Sequence, residues 1–321
     1  MVRLALVALS AAALCGCEGD LINLGASALL TGGAGGGAGT SSDGGSAGSD
    51  AVERWQAPAL LLPQLEGVSF SNPTLVEDES LLFYTEQVGS DELPTAIYQR
   101  RFIAGAWAER AIVDVGRDEL DASSPAISPD GSELWFGQNV PEGMGGNDIW
   151  LSTREGDGWS EPELASAPLN TAFDDSPRPL GGAGLFMPLS SRRHGHERWQ
   201  IYLAKRSSVD EREWQLVDPA LLASVNSDTF ASSGGFISQD GLSLYFASTR
   251  NLEAGSDLFV ARRRSVEEAF DEPIPLTGVN TAANEVTPWL SSDGARLYFA
   301  SDRATVDYPN QYAIYVSERA P

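Results

Sequence analysis

The 321-residue chain carries 21 Lys and Arg against 45 Asp and Glu, a formal charge of −24 at neutral pH. A surface of that sign repels phosphate backbones and anionic headgroups. It therefore argues against binding to nucleic acid or to a membrane surface, and leaves cations and basic proteins as compatible partners. With 42% apolar residues, the chain has the makings of an ordinary globular core in one large or two small domains.

The first element is an export signal. Arg3 supplies a positive start and residues 4–14 form an apolar run, too short to cross a bilayer unaided. The run ends in Leu-Cys-Gly-Cys at 14–17, which resembles the bacterial lipobox, with Leu14 at −3 and Gly16 at −1 to a lipidated Cys17. Cys15 at −2 is an unusual occupant of that motif. The expected division is a signal peptide at 1–16, a lipidated Cys17 with a flexible tether to residue 50, and a folded domain at 51–321. Residues 31–50 are a Gly/Ser/Ala tract with no apolar period, unable to bury enough surface to order itself. It contains a G-x-S-x-G match at Gly44, Ser46 and Gly48. The flanking strand and helix that a nucleophile elbow needs are missing from the pattern, so the match carries no chemistry.

From residue 51 the chain repeats itself. Leu134-Trp135-Phe136 recurs as Leu244-Tyr245-Phe246 and Leu297-Tyr298-Phe299, with weaker copies at 82–84 and 184–186. A second aromatic follows each copy, at Tyr98, Trp150, Tyr202, Phe259 and Tyr315, recurring every 52 to 57 residues. That period matches the blades of a propeller. Each unit reads as four short strands: one after a Ser-Pro or its equivalent, a tight Asp-Gly turn, the Leu-aromatic-Phe strand, the Ile-Tyr strand, and a fourth beginning at Trp107, Trp159, Trp214 or Phe270. Asp78-Glu79 departs from the Asp-Gly turn in the first unit. The fifth unit stops after its third strand, and residues 53–63, with Trp55, resemble the missing fourth. The expected fold class is all-β: a five-bladed β-propeller, with six blades as the lesser option, its ring closed by an N-terminal strand that completes the last blade.

The units at Ser124-Pro125, Asp130-Gly131, residues 134–136 and Asp148-Ile149-Trp150 resemble the WD40-like β-propeller repeat of TolB-like periplasmic proteins. The resemblance spans about residues 51–321. It implies a binding or scaffolding module in the bacterial envelope and is poorly specific beyond that. TolB itself has six blades and a further N-terminal domain, so its partner contacts do not carry over.

Candidate chemistry gathers in the connections from each fourth strand to the next first strand. These hold Asn170, Asp174 and Asp175; Asn226 and Asp228; Asn280, Asn284 and Glu285; and Asp118, Glu119 and Asp121. Such oxygen donors suit Ca²⁺ if they converge. Their recurrence blade by blade favours turns organised by side-chain to backbone hydrogen bonds, so no cofactor and no metal site is assigned. His194 and His196 form an H-x-H pair with no third ligand or thiolate in view, and read as exposed loop residues. Arg192, Arg250 and Arg303 occupy matching places and point to a structural pairing with residues such as Asp148 or Asp257. Arg178 and Trp289 break the repeat where other units carry Thr74, Ala126 and Gly235, and are the preferred ligand contacts, followed by Asp174, Asp175 and Glu285. A glycosidase would need two channel carboxylates, for which Asp174 or Asp175 with Glu285 are the candidates, but no catalytic motif fixes their separation.

The expectation is a non-enzymatic, lipid-anchored envelope propeller, monomeric and on the outer membrane, that binds an envelope protein or glycan. It touches the membrane only through its lipid and binds no nucleic acid. The alternative is a glycan-active hydrolase.

Overall fold

Alternating apolar and small residues put two faces of each short strand into contact with neighbouring sheets, and those sheets arrange themselves about an axis. In the computed structural model, residues 53–321 are described, apart from 90–94, 116–120, 252–254, 304, 306–307 and 309–310. The signal, Cys17 and the tether lie outside the described residues, as do Asp118 and Glu119. The described residues form five antiparallel sheets in a ring, a five-bladed β-propeller.

The innermost strands are Val68–Leu75, Ala122–Ile127, Asp175–Pro177, Ser232–Ile237 and Glu285–Leu290. Second strands are Leu81–Val88, Glu133–Gln138, Phe186–Ser191, Ser243–Ser248 and Arg296–Ser301. Four hold the expected Leu-aromatic-Phe triplets, while in the third blade residues 184–185 lie ahead of the strand and Met187-Pro188-Leu189 take the triplet's place. Third strands carry the Ile-Tyr pairs, and short fourth strands end each blade. In the fifth blade the fourth strand is Ala59–Leu60, pairing antiparallel with Tyr315 and Val316 of the last strand. Trp55 is buried beside it, with Arg319 stacked over its ring at 5.0 Å. The same pairing of an arginine at the end of a third strand with an aromatic in or just ahead of the fourth recurs as Arg154–Trp159, Arg206–Trp214 and Arg263–Phe270.

The core sits between sheets. Phe83, Phe136 and Trp150 fill the first interface, Trp135 meets Trp214 edge-on at 5.7 Å across the second, and Phe246 and Ile201 occupy the third. Blades four, five and one share a continuous cluster that includes Phe70, Phe236, Trp289 and Phe299. Each such buried aromatic or Leu contributes about 1.5–3 kcal/mol. Carboxylates on the hairpin-turn side tie blades to one another: Glu133 to Arg206, Glu53 to Arg262, and Glu79 to Arg296.

The Asp-Gly signal is a four-residue turn in which only the glycine is left-handed. Gly131, at φ 75°, donates its amide to the Ser128 carbonyl, while the Ser128 hydroxyl donates to Asp130. Four inner strands share a second irregularity. Their register slips by one residue between Ser71 and Thr74, Ser123 and Ala126, Ser233 and Phe236, and Val286 and Trp289. The slip is a β-bulge, with Asn72, Ser124, Gly234 and Thr287 all at positive φ. A hydroxyl from an adjacent blade accepts the bulge amide in three of them: Thr287 Oγ1 for Asn72, Thr85 Oγ1 for Ser124, and Ser190 Oγ for Gly234. The blade-four counterpart of Trp289 is Phe236 and not Gly235: Phe236 pairs with Tyr245 as Trp289 pairs with Tyr298.

Candidate functional site

Strand direction gives the ring two unlike faces. The turn face carries the tight hairpins together with Glu53 and the C-terminus. The loop face carries the second-to-third and fourth-to-first connections, where the sequence candidates lie.

Asn170, Asn226 and Asn280 act as extra rungs of the sheet. Each side-chain oxygen accepts from a third-strand amide, Ile149, Ile201 or Leu258, at 2.7–2.9 Å. Each amide nitrogen donates back to the carbonyl of the same residue. Asp175 is fully buried and accepts from the Thr171 amide and hydroxyl, from Ser191 Oγ at 2.5 Å and from Arg193 at 2.8 Å. Glu285 repeats this arrangement in blade five with Thr281, Ser301 and Arg303. Burial pushes the Glu285 carboxyl upward, against the pull of Thr281 and Arg303. In blade four Ser232 stands in the acid's place. Arg250 there stacks on Phe230, Phe246 and Phe259, and burial lowers its pKa to about 10.

The matching arginines are thus Arg193, Arg250 and Arg303, each two residues past a strand-ending serine. Arg192 lies one position off and stacks over Trp199 at 4.8 Å. Their partners are Asp175, Ser248 and Glu285 in place of Asp148 or Asp257. Trp289 is buried between blades four and five, 6.0 Å from Phe236 and 5.5 Å from Tyr298. It packs the core and lines a small cavity of about 20 Å³ together with Leu75, Ile127, Leu180 and Phe236.

Arg178 goes elsewhere. Blade three keeps regular register where the other inner strands bulge, with Ser176 and Pro177 opposite Ser190 and Leu189, and slips by one only later, before Gly181 pairs with Phe186. The Arg178 side chain donates from Nε to Ser190 Oγ at 2.9 Å and from Nη1 to Asn72 Oδ1 at 2.6 Å. Asn72 belongs to blade one, which is not a neighbour of blade three, so the guanidinium crosses the ring axis. Around it stand Pro73, Pro125, Pro177 and Pro288, enclosing a cavity of about 10 Å³. Prolines suit that position because an amide facing the axis would have no partner.

Asp174 is only partly exposed. It accepts from the Asn147 amide at 3.0 Å and lies 3.9 Å from Arg192. This contact joins two loops, residues 139–147 and 170–174, and glycine makes it possible. A Cβ on Gly146 would come within 2.1 Å of Asp174 Oδ1, and one on Gly145 within 2.6 Å of the Ala172 backbone. The joined loops hold Met144 49% exposed and Phe173 41% exposed. Beside them are Gly195, near the Phe173 ring, and exposed His194; His196 lies 3.6 Å from Asp228. Sequence reasoning passed over Met144 and Phe173 because a lone apolar loop residue has no periodicity. Their adjacency comes from the fold alone. Beneath them Asp148 is buried, its Oδ2 accepting from the Met144 and Gly145 amides while Oδ1 has no partner among the described residues. Burial raises its carboxyl, reinforced by Asp175 and Asp174. Among the described residues no group of three or more His, Cys, Asp or Glu is placed to hold a metal ion.

No protein-family model matches the chain. No curated protein does either. Solved structures share the fold at low identity. A protein titled glycoside hydrolase aligns with TM-score 0.56 at 11% identity, over 84% of this chain and 93% of that one. A protein of unknown function from Dyadobacter fermentans aligns with TM-score 0.52 at 10% identity, over 84% of this chain and all of that one. A putative TolB from Agrobacterium tumefaciens aligns with TM-score 0.48 at 17% identity, over 78% and 90% of the two chains.

Proposed function

We propose that the chain is a lipid-anchored binding module of the bacterial envelope, without catalytic activity, that docks an envelope protein or glycan on its loop face above blades two and three. The observation that carries this reading is the exposed pair Met144 and Phe173. Both are held on loops locked together by the Asn147–Asp174 contact, with Trp199 and His194 close by on the same face. An aromatic and a thioether on pre-ordered loops, in an otherwise strongly acidic molecule, suit an apolar protein anchor or the face of a sugar ring. Membrane attachment would come through Cys17, from the turn face where Glu53 lies, leaving the loop face turned outward.

The hydrolase alternative has the fold of a glycoside hydrolase in its favour. It would need two free carboxylates about 5–9.5 Å apart beside a sugar-sized space. Asp175 and Glu285 each hold an arginine, and the axial cavity is about 10 Å³. These facts weigh towards binding.

The experiment compares wild type with Phe173→Ser and Cys17→Ala. Phe173→Ser should stay within about 0.5 kcal/mol of the parent in stability while losing enrichment of a specific envelope component. Cys17→Ala should leave the membrane fraction. Sugar release from envelope glycans that disappears in Glu285→Gln would replace this reading with the hydrolase.

A further inference from the structure

Arg178 presents an unsolved charge problem at the centre of the ring. Its residue is 2% exposed. A guanidinium stays protonated at any physiological pH, and an uncompensated buried charge costs several kcal/mol. Two other buried arginines are answered by carboxylates, Arg193 by Asp175 and Arg206 by Glu133, while Arg263 donates to two carbonyls and stacks on Phe270 with its own Nη2 unpartnered among the described residues. Arg178 meets only neutral oxygens, Ser190 Oγ and Asn72 Oδ1, and no carboxylate lies within ion-pair distance among the described residues. Its Nη2 is buried with no hydrogen-bond partner among the described residues. Ser190 Oγ accepts both from Arg178 and from the Gly234 amide, so its own hydrogen also needs an acceptor.

The cavity around this group fixes what can answer it. At about 10 Å³ it takes one body about the size of a water molecule. Polyatomic anions and carboxylate ligands are too large. Its walls are proline rings and the backbone of Gly234, with Asn72 and Thr287, and none of these brings negative charge. A water would satisfy the hydrogen bond but leave the charge; a halide ion satisfies both.

We propose that the propeller binds a single chloride ion on its axis, held by Arg178 Nη2 and enclosed by the ring of prolines from blades one, two, three and five. The ion completes the cross-axis contact from blade three to Asn72 in blade one, and so ties non-adjacent blades together. Chloride is thus a resident structural ligand, and the ring's stability depends on it.

Two measurements test this on the full chain. In crystals grown from sodium bromide, diffraction at the bromine edge should show an anomalous peak within hydrogen-bond reach of Arg178 Nη2. In solution, replacing gluconate by chloride at constant ionic strength, over about a hundredfold range of chloride, should raise the melting temperature by about 2–4 °C or more. Arg178→Gln should abolish that rise. If the variant does not fold, the bromide peak and the wild-type titration decide. Water in place of bromide, equal melting in chloride and gluconate, a peak with no thermal effect (binding at crystal concentration only), or a chloride effect that survives in Arg178→Gln would each overturn the proposal.

Discussion

Glu79, at φ 57°, takes the turn position that Gly131, Gly241 and Gly294 hold in other blades. Its carboxylate binds Arg296 and Tyr298 of blade five, so a strained residue is kept for a bond that glycine cannot make. Removing the side chain with and without relief of the strain separates the two effects. Glu79→Ala should destabilise by about 2 kcal/mol through the lost ion pair and the orphaned Tyr298 hydroxyl. Glu79→Gly should be about 1 kcal/mol less harmful, since only glycine adopts that φ freely. Urea titrations compare them; equal midpoints would remove strain from the account. Asp148 makes the complementary case. Burial raises its folded-state pKa, so between the ordinary carboxylate range and that raised value the folded state holds more protons than the unfolded one. Its contribution to stability is therefore greatest in acid and is lost as pH rises through that window. Asp148→Asn keeps an acceptor for the Met144 and Gly145 amides and never ionises. Its melting temperature relative to wild type should climb from pH 4 to pH 7; a constant difference would count against the carboxyl being costly. Recurrence marked these Asn and Asp residues as structural, but the Asn side chains bond third-strand residues 21–25 positions away instead of organising their own turns, a reach that spacing does not show. The arginine alignment slipped to Arg192 because 191–198 offers three arginines, and spacing alone does not say which one turns inward.

At the scale of strands, the fourth strand of blade five was legible because residues 53–63 repeat a fourth-strand pattern found elsewhere in the chain. The bulges were not, since an inserted residue leaves the apolar pattern intact on both sides and moves only what lies beyond it. Gly235 and Trp289 share no place in the repeat, since blades four and five slip alike and register sets Phe236 opposite Tyr245 as it sets Trp289 opposite Tyr298. The closing strand is only two residues long, so its hold comes from what flanks it: Trp55, Leu62 and the Glu53 ion pairs. Trp55→Ala should cost about 3–5 kcal/mol, and deletion of residues 53–62 should lower the thermal midpoint of the whole ring in one transition. A deletion variant that melts with the parent would show that the strand closes nothing.

Across the whole molecule the charge of −24 is unevenly answered. The buried ion pairs between blades are shielded from salt, while the excess acids on the surface repel one another. Raising sodium gluconate from low to physiological ionic strength should therefore raise the melting temperature, a trend read apart from any halide effect; a fall would place the decisive electrostatics in the exposed pairs instead. The fold could be read at this scale from its period. The exposed Met144 and Phe173 could not, because they lie in separate connections, 139–147 within blade two and 170–174 between blades two and three, and share a face only because those two loops pack together.

The seam of the ring also has a mechanical meaning. Chain ahead of Glu53 leaves the domain beside the C-terminus, where the Arg54 carbonyl accepts from the Ala320 amide and the Trp55 amide donates to the Thr277 carbonyl. A load drawn along that chain would peel the closing strand from its end, one bond at a time, the weakest direction in which to pull a sheet apart. The first obstacles it meets are Glu53, gripped by Arg262 and Arg319, and the ring of Trp55 under Arg319. Those residues form a clasp, and the force at which it slips would set how much pull the ring withstands before it opens.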